Sequence, residues 1–153
     1  LVLETRFRQA TYDLYQAGDY EKAYDEFDAL AEDGYAKADD MRYEASYEWG
    51  CVLLQKGNYE EAYDKFNRIR SYRDAEDLCS ETLYLMACAF MNEGDYVSAY
   101  QKLNSISGYK DADEIMDEIG PLADAQIDAR HADGSSFTKE ELDLSFDIWK
   151  RER

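Results

Sequence analysis

The chain has 153 residues with 35 acidic and 17 basic side chains, which give a formal net charge of −18 at pH 7. This charge repels the phosphate backbone of nucleic acids, so we expect no DNA or RNA partner. No apolar stretch reaches membrane-spanning length, and 45% hydrophobic residues suit one domain with a core.

Two helices open the chain. We predict the first over residues 1–17 and the second over 19–31, with Gly18 between them because glycine tolerates the left-handed conformation at a helix end. Asp19 then stands where its carboxylate can cap the second helix. One face of the first helix carries four apolar residues, Leu3, Phe7, Ala10 and Leu14.

The same pattern occurs twice more. Gly57 and Gly94 repeat Gly18 at intervals of 39 and 37 residues, and a capping residue, Asn58 or Asp95, follows each. Each cap is followed by three apolar residues on one helix face, spaced four and then three residues apart. The first is Ala, the second is Phe or Leu, and the third is Leu or Ile. The recurrence predicts four further helices, over residues 36–56, 58–70, 73–92 and 95–107.

The helices predicted over residues 36–56 and 58–70, which form the second helix pair of the chain, have further sequence signals. Apolar residues that recur every four positions from Met41 to Leu53 predict the core face of a long helix, with Trp49 as a packing residue. Asn58 and Glu61 have the spacing of a capping box.

Another motif follows each pair. It begins at Gly34, Ser71 and Gly108, at intervals of 37 residues, continues with Tyr35, Tyr72 and Tyr109, and ends with an Ala three positions after the tyrosine. In the last two copies Asp74 or Asp111 precedes that Ala, where it suits the positive end of a helix dipole.

We expect Ser71 and Gly108, at the start of the same motif, to cap the next helices. The two extra residues of the first period then fall within residues 31–33, where we predict a loop insertion.

The pattern decays after Tyr109. We predict a helix from Asp111 that breaks or kinks at Pro121, because proline lacks an N–H and clashes with the preceding turn, and that resumes to about Ala132. Thr138 has a glutamate three residues later, which is the spacing of a capping box. A last helix carries Leu142, Phe146 and Trp149.

Together these motifs resemble the tetratricopeptide repeat (TPR) family over about residues 5–119. The period of 37 is longer than the 34 residues usual in the family, and no proline ends the second helix. The Tyr-x-Asp-Ala motif between repeats resembles a bacterial variant of the family. The matching positions are Gly57, Tyr59, Ala62 and Phe66 of the signature, and the small Gly50 and Ala87 at the helix crossing.

The resemblance implies an all-α, right-handed solenoid of antiparallel helix pairs in a single domain over residues 1–153. The repeats are about 1–33, 34–70 and 71–107, and residues 108–153 form a degenerate capping pair.

A TPR-like stack binds proteins in a concave groove lined by the first helix of each repeat. Here the resemblance implies a tyrosine-rich, partly acidic groove suited to a peptide or helix, preferably a basic one. It differs from the carboxylate clamp of the family, because Tyr12 and Glu48 stand where that clamp needs Asn. The implied groove residues are Arg8, Tyr12, Tyr15, Gln16, Glu44, Tyr47, Glu48, Cys51, Gln55, Glu81, Tyr84, Cys88 and Asn92.

No motif for a nucleophile, a phosphate loop or a metal site occurs, so we expect no catalysis, cofactor or metal. His131, the single histidine, is expected in a loop or at the surface. Cysteines without a plausible disulfide favour a reducing compartment, and we expect a cytoplasmic protein.

Two alternatives to the binding scaffold stay open. In the first alternative the chain is a structural spacer or oligomerisation segment of a larger protein; its ends then make the contacts, and an apolar terminal helix face is expected. In the second alternative the chain is a regulatory sensor domain, for which a closed pocket with converging polar groups is expected.

Overall fold

The computed structural model describes residues 1–153 and is all-helical, with no strand. The chain forms two compact units, Leu1–Thr82 and Leu83–Arg153. A π-helical turn, Asp13–Ala17, extends the first helix. The eight α-helices are α1 (Val2–Tyr12), α2 (Tyr20–Glu32), α3 (Ala36–Gln55), α4 (Tyr59–Asn67), α5 (Ala75–Glu93), α6 (Tyr96–Asn104), α7 (Ala112–Arg130) and α8 (Lys139–Arg151).

Consecutive helices pack on one another. In the first unit α2 contacts both α1 and α3, and α3 contacts α4; in the second unit α7 contacts both α6 and α8. The all-α prediction is confirmed, and the predicted helices are present. The second helices of the later pairs are shorter than predicted, since α4 and α6 end at Asn67 and Asn104.

The two extra residues of the first period lie in a helix, so the prediction of a loop insertion was wrong. Helix α2 has 13 residues, whereas α4 and α6 have nine each. No helix breaker interrupts α2 before Gly34, which adopts φ 83°, and Ala31 and Glu32 therefore continue the helix.

The π-helical turn shifts the register at the end of α1. Buried Ala10 lies eight residues before Gly18, whereas buried Gly50 lies seven residues before Gly57. The wider turn accommodates one more residue. Asp13 within it is 5% exposed, and its carboxylate pairs with the Lys22 ammonium at 3.0 Å.

The predicted caps were partly right. Asp19 and Asp95 accept hydrogen bonds from the first turns of α2 and α6, and Thr138 forms the predicted capping box with Glu141. The capping box at Asn58 was wrong, because this exposed side chain makes no bond to α4 and leaves the first-turn N–H groups to solvent.

The caps predicted at Ser71 and Gly108 were also wrong. Asp111 is the N-cap residue of α7, and α5 begins only at Ala75. Gly108 adopts φ 85°, and its N–H donates to the Asp113 carboxylate at 2.7 Å.

Helix α7 is continuous through Pro121, so of the predicted break or kink the break was wrong. Pro121 is exposed, which leaves the carbonyl group that loses its partner on the solvent side. Gly120 before it is buried, and a β-carbon there would lie 3.2 Å from Ile148 of α8 and 3.7 Å from Tyr100 of α6. Close packing on both neighbours keeps this part of the chain helical.

The helix pair α3 and α4 meets at Gly50. A β-carbon at this position would lie 2.7 Å from Cε1 of the fully buried Phe66 ring. Phe27 occupies the equivalent position of α2 and is also fully buried. The small residue is therefore required by the close approach of the two helices.

We predict that Gly50→Ala destabilises the protein by about 1–3 kcal/mol, because the added methyl group overpacks the core against Phe66. Urea unfolding followed by circular dichroism measures this loss. In a Phe66→Leu background Gly50→Ala should reduce the free energy of unfolding by less, because the aromatic ring that the added methyl group would contact is gone. An equal cost in both backgrounds, or a gain in stability from Gly50→Ala alone, contradicts the packing account.

Candidate functional site

Tyr47 of α3 contacts the Tyr72-Arg73-Asp74 stretch that precedes α5. Its hydroxyl donates to Asp74 Oδ1 at 2.7 Å, and its ring stands edge-on to the Tyr72 ring with 6.0 Å between centroids. Arg73 adopts φ 48°, and its guanidinium lies 5.0 Å from the Tyr47 centroid and 5.4 Å from the Tyr72 centroid. We call this group of four residues the tyrosine latch.

The second unit contains the same arrangement 37 residues later. The Tyr84 hydroxyl donates to Asp111 at 2.7 Å, and the Tyr84 and Tyr109 rings are edge-on at 6.2 Å. Lys110 adopts φ 49°, with its ammonium 4.9 Å and 5.5 Å from the two ring centroids. The recurring Tyr-cation-Asp sequence thus encodes a repeated structural contact.

The first copy of the motif is built differently. Tyr35 packs on Phe7 of α1 with 5.3 Å between centroids, and its hydroxyl donates to the Glu4 carboxylate. Ala36 and Lys37 stand where the later copies have a cation and an aspartate. The aromatic contact and the bond from the motif tyrosine to a glutamate of the first helix of the preceding pair are therefore kept here, as between Tyr72 and Glu44, while the bond to an aspartate of the motif is absent.

Glu44 of α3 lies beside the latch and is only 8% exposed. Its carboxylate accepts hydrogen bonds from the hydroxyls of Tyr72 and of Tyr15, the latter at 3.5 Å, and pairs with the Arg73 guanidinium at 3.0 Å. The buried charge is thus compensated by two donors and one cation.

These contacts keep the tyrosine hydroxyls protonated. Burial, and then the hydrogen bond to Glu44, raise the pKa of Tyr72 to about 12. The hydrogen bond to Asp74 followed by burial raises the pKa of Tyr47. Burial followed by the charges of Glu44 and Glu48 raises the pKa of Tyr15. All three hydroxyls therefore remain hydrogen-bond donors at neutral pH.

The predicted groove residues differ in exposure. Tyr12 and Tyr15 are 58% and 52% exposed, and no other tyrosine of the chain is exposed. Arg8 is exposed and pairs with Glu4 at 3.1 Å. The remaining exposed members are Gln16, Gln55 and Asn92, the half-buried ones are Tyr47, Glu48, Cys51, Glu81, Tyr84 and Cys88, and Glu44 is buried.

Within the first unit the structure brings Tyr15, Glu44 and Tyr47 to the same cluster, through Arg73 and Tyr72. Sequence reasoning missed Arg73 and Tyr72, because it treated their motif only as the start of a helix. The sequence does contain a signal for this contact. Asp74 follows Tyr47 by 27 residues, Asp111 follows Tyr84 by the same interval, and a basic residue directly precedes each aspartate.

His131 forms a second polar cluster, in the turn after α7. Its ring nitrogens lie 2.8 Å from the Ser135 hydroxyl and 2.6 Å from the Glu141 carboxylate, and its ring packs on Phe137 at 4.5 Å. Glu141 also accepts from the Thr138 N–H as part of the α8 cap. The predicted loop position is confirmed, but the side chain is only 11% exposed and closes the connection to α8.

No helix has both the length and the apolar content needed to cross a membrane. No group of three or more His, Cys, Asp and Glu side chains is arranged to hold a metal ion. Comparisons with protein-family models, curated proteins and solved structures found no match. Function is therefore inferred from the geometry of this chain.

We predict that the raised pKa of Tyr72 makes stability fall at high pH. A tyrosine with a raised folded-state pKa contributes stability that is complete below about pH 10 and is lost as the pH rises through about 12. Between pH 8 and pH 11 the wild type should therefore lose about 1 kcal/mol more unfolding free energy than Tyr72→Phe. Urea unfolding at both pH values measures this, and equal losses would contradict it.

Proposed function

We propose that the chain is a non-catalytic protein-interaction module that binds a peptide or helix. In this proposal the helix pairs stack as a right-handed, TPR-like solenoid, and the first helices of the pairs line the binding groove. The recurrence of the Gly, Ala and Phe or Leu positions at intervals of 39 and 37 residues supports the repeat, as does the packing of consecutive helices.

The observation that carries the proposal is the exposure of Tyr12 and Tyr15. Both lie at the end of the first helix, on the side predicted to line the groove. Tyr12 offers a ring and a hydroxyl to a partner, and Tyr15 offers its ring while its hydroxyl donates to Glu44. Tyrosine provides large contact area at low entropic cost and is enriched among residues that dominate binding energy. We therefore assign the anchoring contacts to these two side chains.

The latch tyrosines have a supporting role in this proposal. The Tyr47 hydroxyl is bonded to Asp74, and Arg73 covers the ring. A side chain held in this way forms a rigid surface under a bound partner, with little rearrangement on binding. The same holds for Tyr84 and its bond to Asp111 in the second unit.

The charges favour a basic partner. Glu48 is half-buried, makes no ion pair within the protein, and lies close enough to Tyr15 to raise the pKa of its hydroxyl. An Arg or Lys side chain that approaches Tyr15 would meet this carboxylate. The net charge of −18 also attracts a basic peptide at long range, so binding should weaken as salt increases.

A defined probe tests this function. The probe is a set of labelled amphipathic peptides with Lys and Arg on the polar face, and a matched set in which Glu replaces them. We expect fluorescence anisotropy to show binding of the basic set only. Tyr12→Ala combined with Tyr15→Ala should raise the dissociation constant at least about tenfold.

The control is Tyr59→Ala, which removes a half-buried tyrosine from α4, a second helix of its pair. It should leave affinity unchanged if the contacts lie on the first helices. Loss of binding in both proteins, retention in both, or no binding of any basic peptide would contradict the proposal. Circular dichroism of each variant establishes that it is folded.

A further inference from the structure

The last helix exposes a face that every other second helix buries. The residues four, eight and eleven positions after the N-caps of α2, α4 and α6 are all buried, the last of them just beyond the ends of α4 and α6. In α8 the residues at the same positions are Leu142, Phe146 and Trp149, with exposures of 55%, 58% and 46%. The buried equivalents are Ala23, Phe27, Leu30, Ala62, Phe66, Ile69, Ala99, Leu103 and Ile106.

Helix α8 is firmly held through its opposite face. Leu144 and Ile148 are 7% and 2% exposed, and the guanidinium of Arg151 bonds to Asp113 of α7 at 2.8 Å. Rotation of α8 to bury Phe146 would expose Leu144 and Ile148 and break this ion pair. The outward apolar face is therefore a fixed feature of the second unit.

The exposed face has an ordered surface. The rings of Phe146 and Trp149 are stacked, with 5.7 Å between centroids and 15° between planes. The Arg153 guanidinium lies 4.1 Å from the Trp149 centroid, and the Lys150 ammonium lies 5.2 Å from the Phe146 centroid. A flat aromatic pair with cations at one end is a surface suited to another helix.

The charges of α8 indicate that the helix bound to this surface is a second copy of α8. The first half, residues 139–145, has a net charge of −2 from Lys139, Glu140, Glu141 and Asp143. The second half, residues 146–151, has a net charge of +1 from Asp147, Lys150 and Arg151. An antiparallel copy of α8 would place each acidic half against a basic half, and the two helix dipoles would also oppose one another. In a parallel pairing, like charges would meet.

The charge of the whole chain points the same way. Residues 139–153 carry four basic and five acidic side chains, so this segment is nearly neutral in a protein with a net charge of −18. The net negative charge of the chain opposes self-association, and the nearly neutral segment that contains α8 adds little to this repulsion.

We propose that α8 pairs with α8 of a second copy, antiparallel, about a two-fold axis near Phe146. Leu142 of one copy then lies against Trp149 of the other, and Asp143 lies near Lys150 on both sides of the axis. The contact is isologous, so it closes as a dimer. It is independent of the proposed peptide binding.

Sedimentation velocity over about 1 μM to 1 mM protein tests this dimer. About 150 mM salt reduces the Debye length to about 8 Å and screens the overall repulsion. The wild type should shift from monomer to dimer and no further. Phe146→Glu, at an exposed position, should remain folded and raise the dissociation constant at least about tenfold.

Val2→Glu is the matched control, because Val2 is a 73% exposed apolar residue at the start of α1. It should not change the dimer. A wild type that stays monomeric at every concentration overturns the proposal. A series of larger species, or weakening by Val2→Glu, overturns it in favour of head-to-tail assembly.

A charge exchange tests the antiparallel register. Lys150→Glu should weaken the dimer, because the introduced carboxylate would face the acidic half of the other copy. Adding Asp143→Lys should restore most of the affinity, since the complementary charges return with exchanged signs. Failure of the second substitution to restore any affinity overturns the antiparallel pairing.

Discussion

The hydrogen bond from the Tyr47 hydroxyl to Asp74 stabilises an unfavourable backbone conformation at the neighbouring Arg73. Arg73 lies in the left-handed region at φ 48°, which costs a residue with a β-carbon roughly 1–2 kcal/mol. A hydrogen bond at a solvent-accessible site contributes about 0.5–1.5 kcal/mol, and the Arg73 guanidinium over the two tyrosine rings adds to this. These gains offset the strain, so the Tyr72-Arg73-Asp74 stretch is held in this conformation before α5.

The latch also connects the repeat to the proposed binding surface. Arg73 pairs with Glu44, and Glu44 accepts a hydrogen bond from Tyr15 near the end of the first helix. A structural contact between helices therefore supports the residues assigned to partner binding. At α8 no such support is seen, because three positions that are buried after the N-caps of α2, α4 and α6 face solvent. The two surfaces have different chemistry, one tyrosine-rich and acidic and the other aromatic with basic residues at one end.

Local patterns predicted the helices well, because glycine, capping residues and apolar spacing act over one or two turns. They failed where a contact between distant residues decides the outcome. Pro121 was predicted to break or kink a helix, but Gly120 packs closely on Ile148 and α7 is continuous. The bonding of Tyr72 and Arg73 to Glu44 joins residues 28 and 29 positions apart, which no local pattern reports. The phase of α8 likewise depends on its packing against α7, which placed Leu144 and Ile148 inside.

A double-mutant cycle on Tyr47 and Asp74 tests the latch most directly. Tyr47→Phe, Asp74→Ala and the double variant are unfolded in urea, and the coupling free energy is calculated from the four stabilities. The latch predicts a favourable coupling of about 1 kcal/mol or more, because the hydrogen bond is made to a charged acceptor. A coupling close to zero, with both single variants near wild-type stability, would contradict the claim that this bond holds the connection between helix pairs.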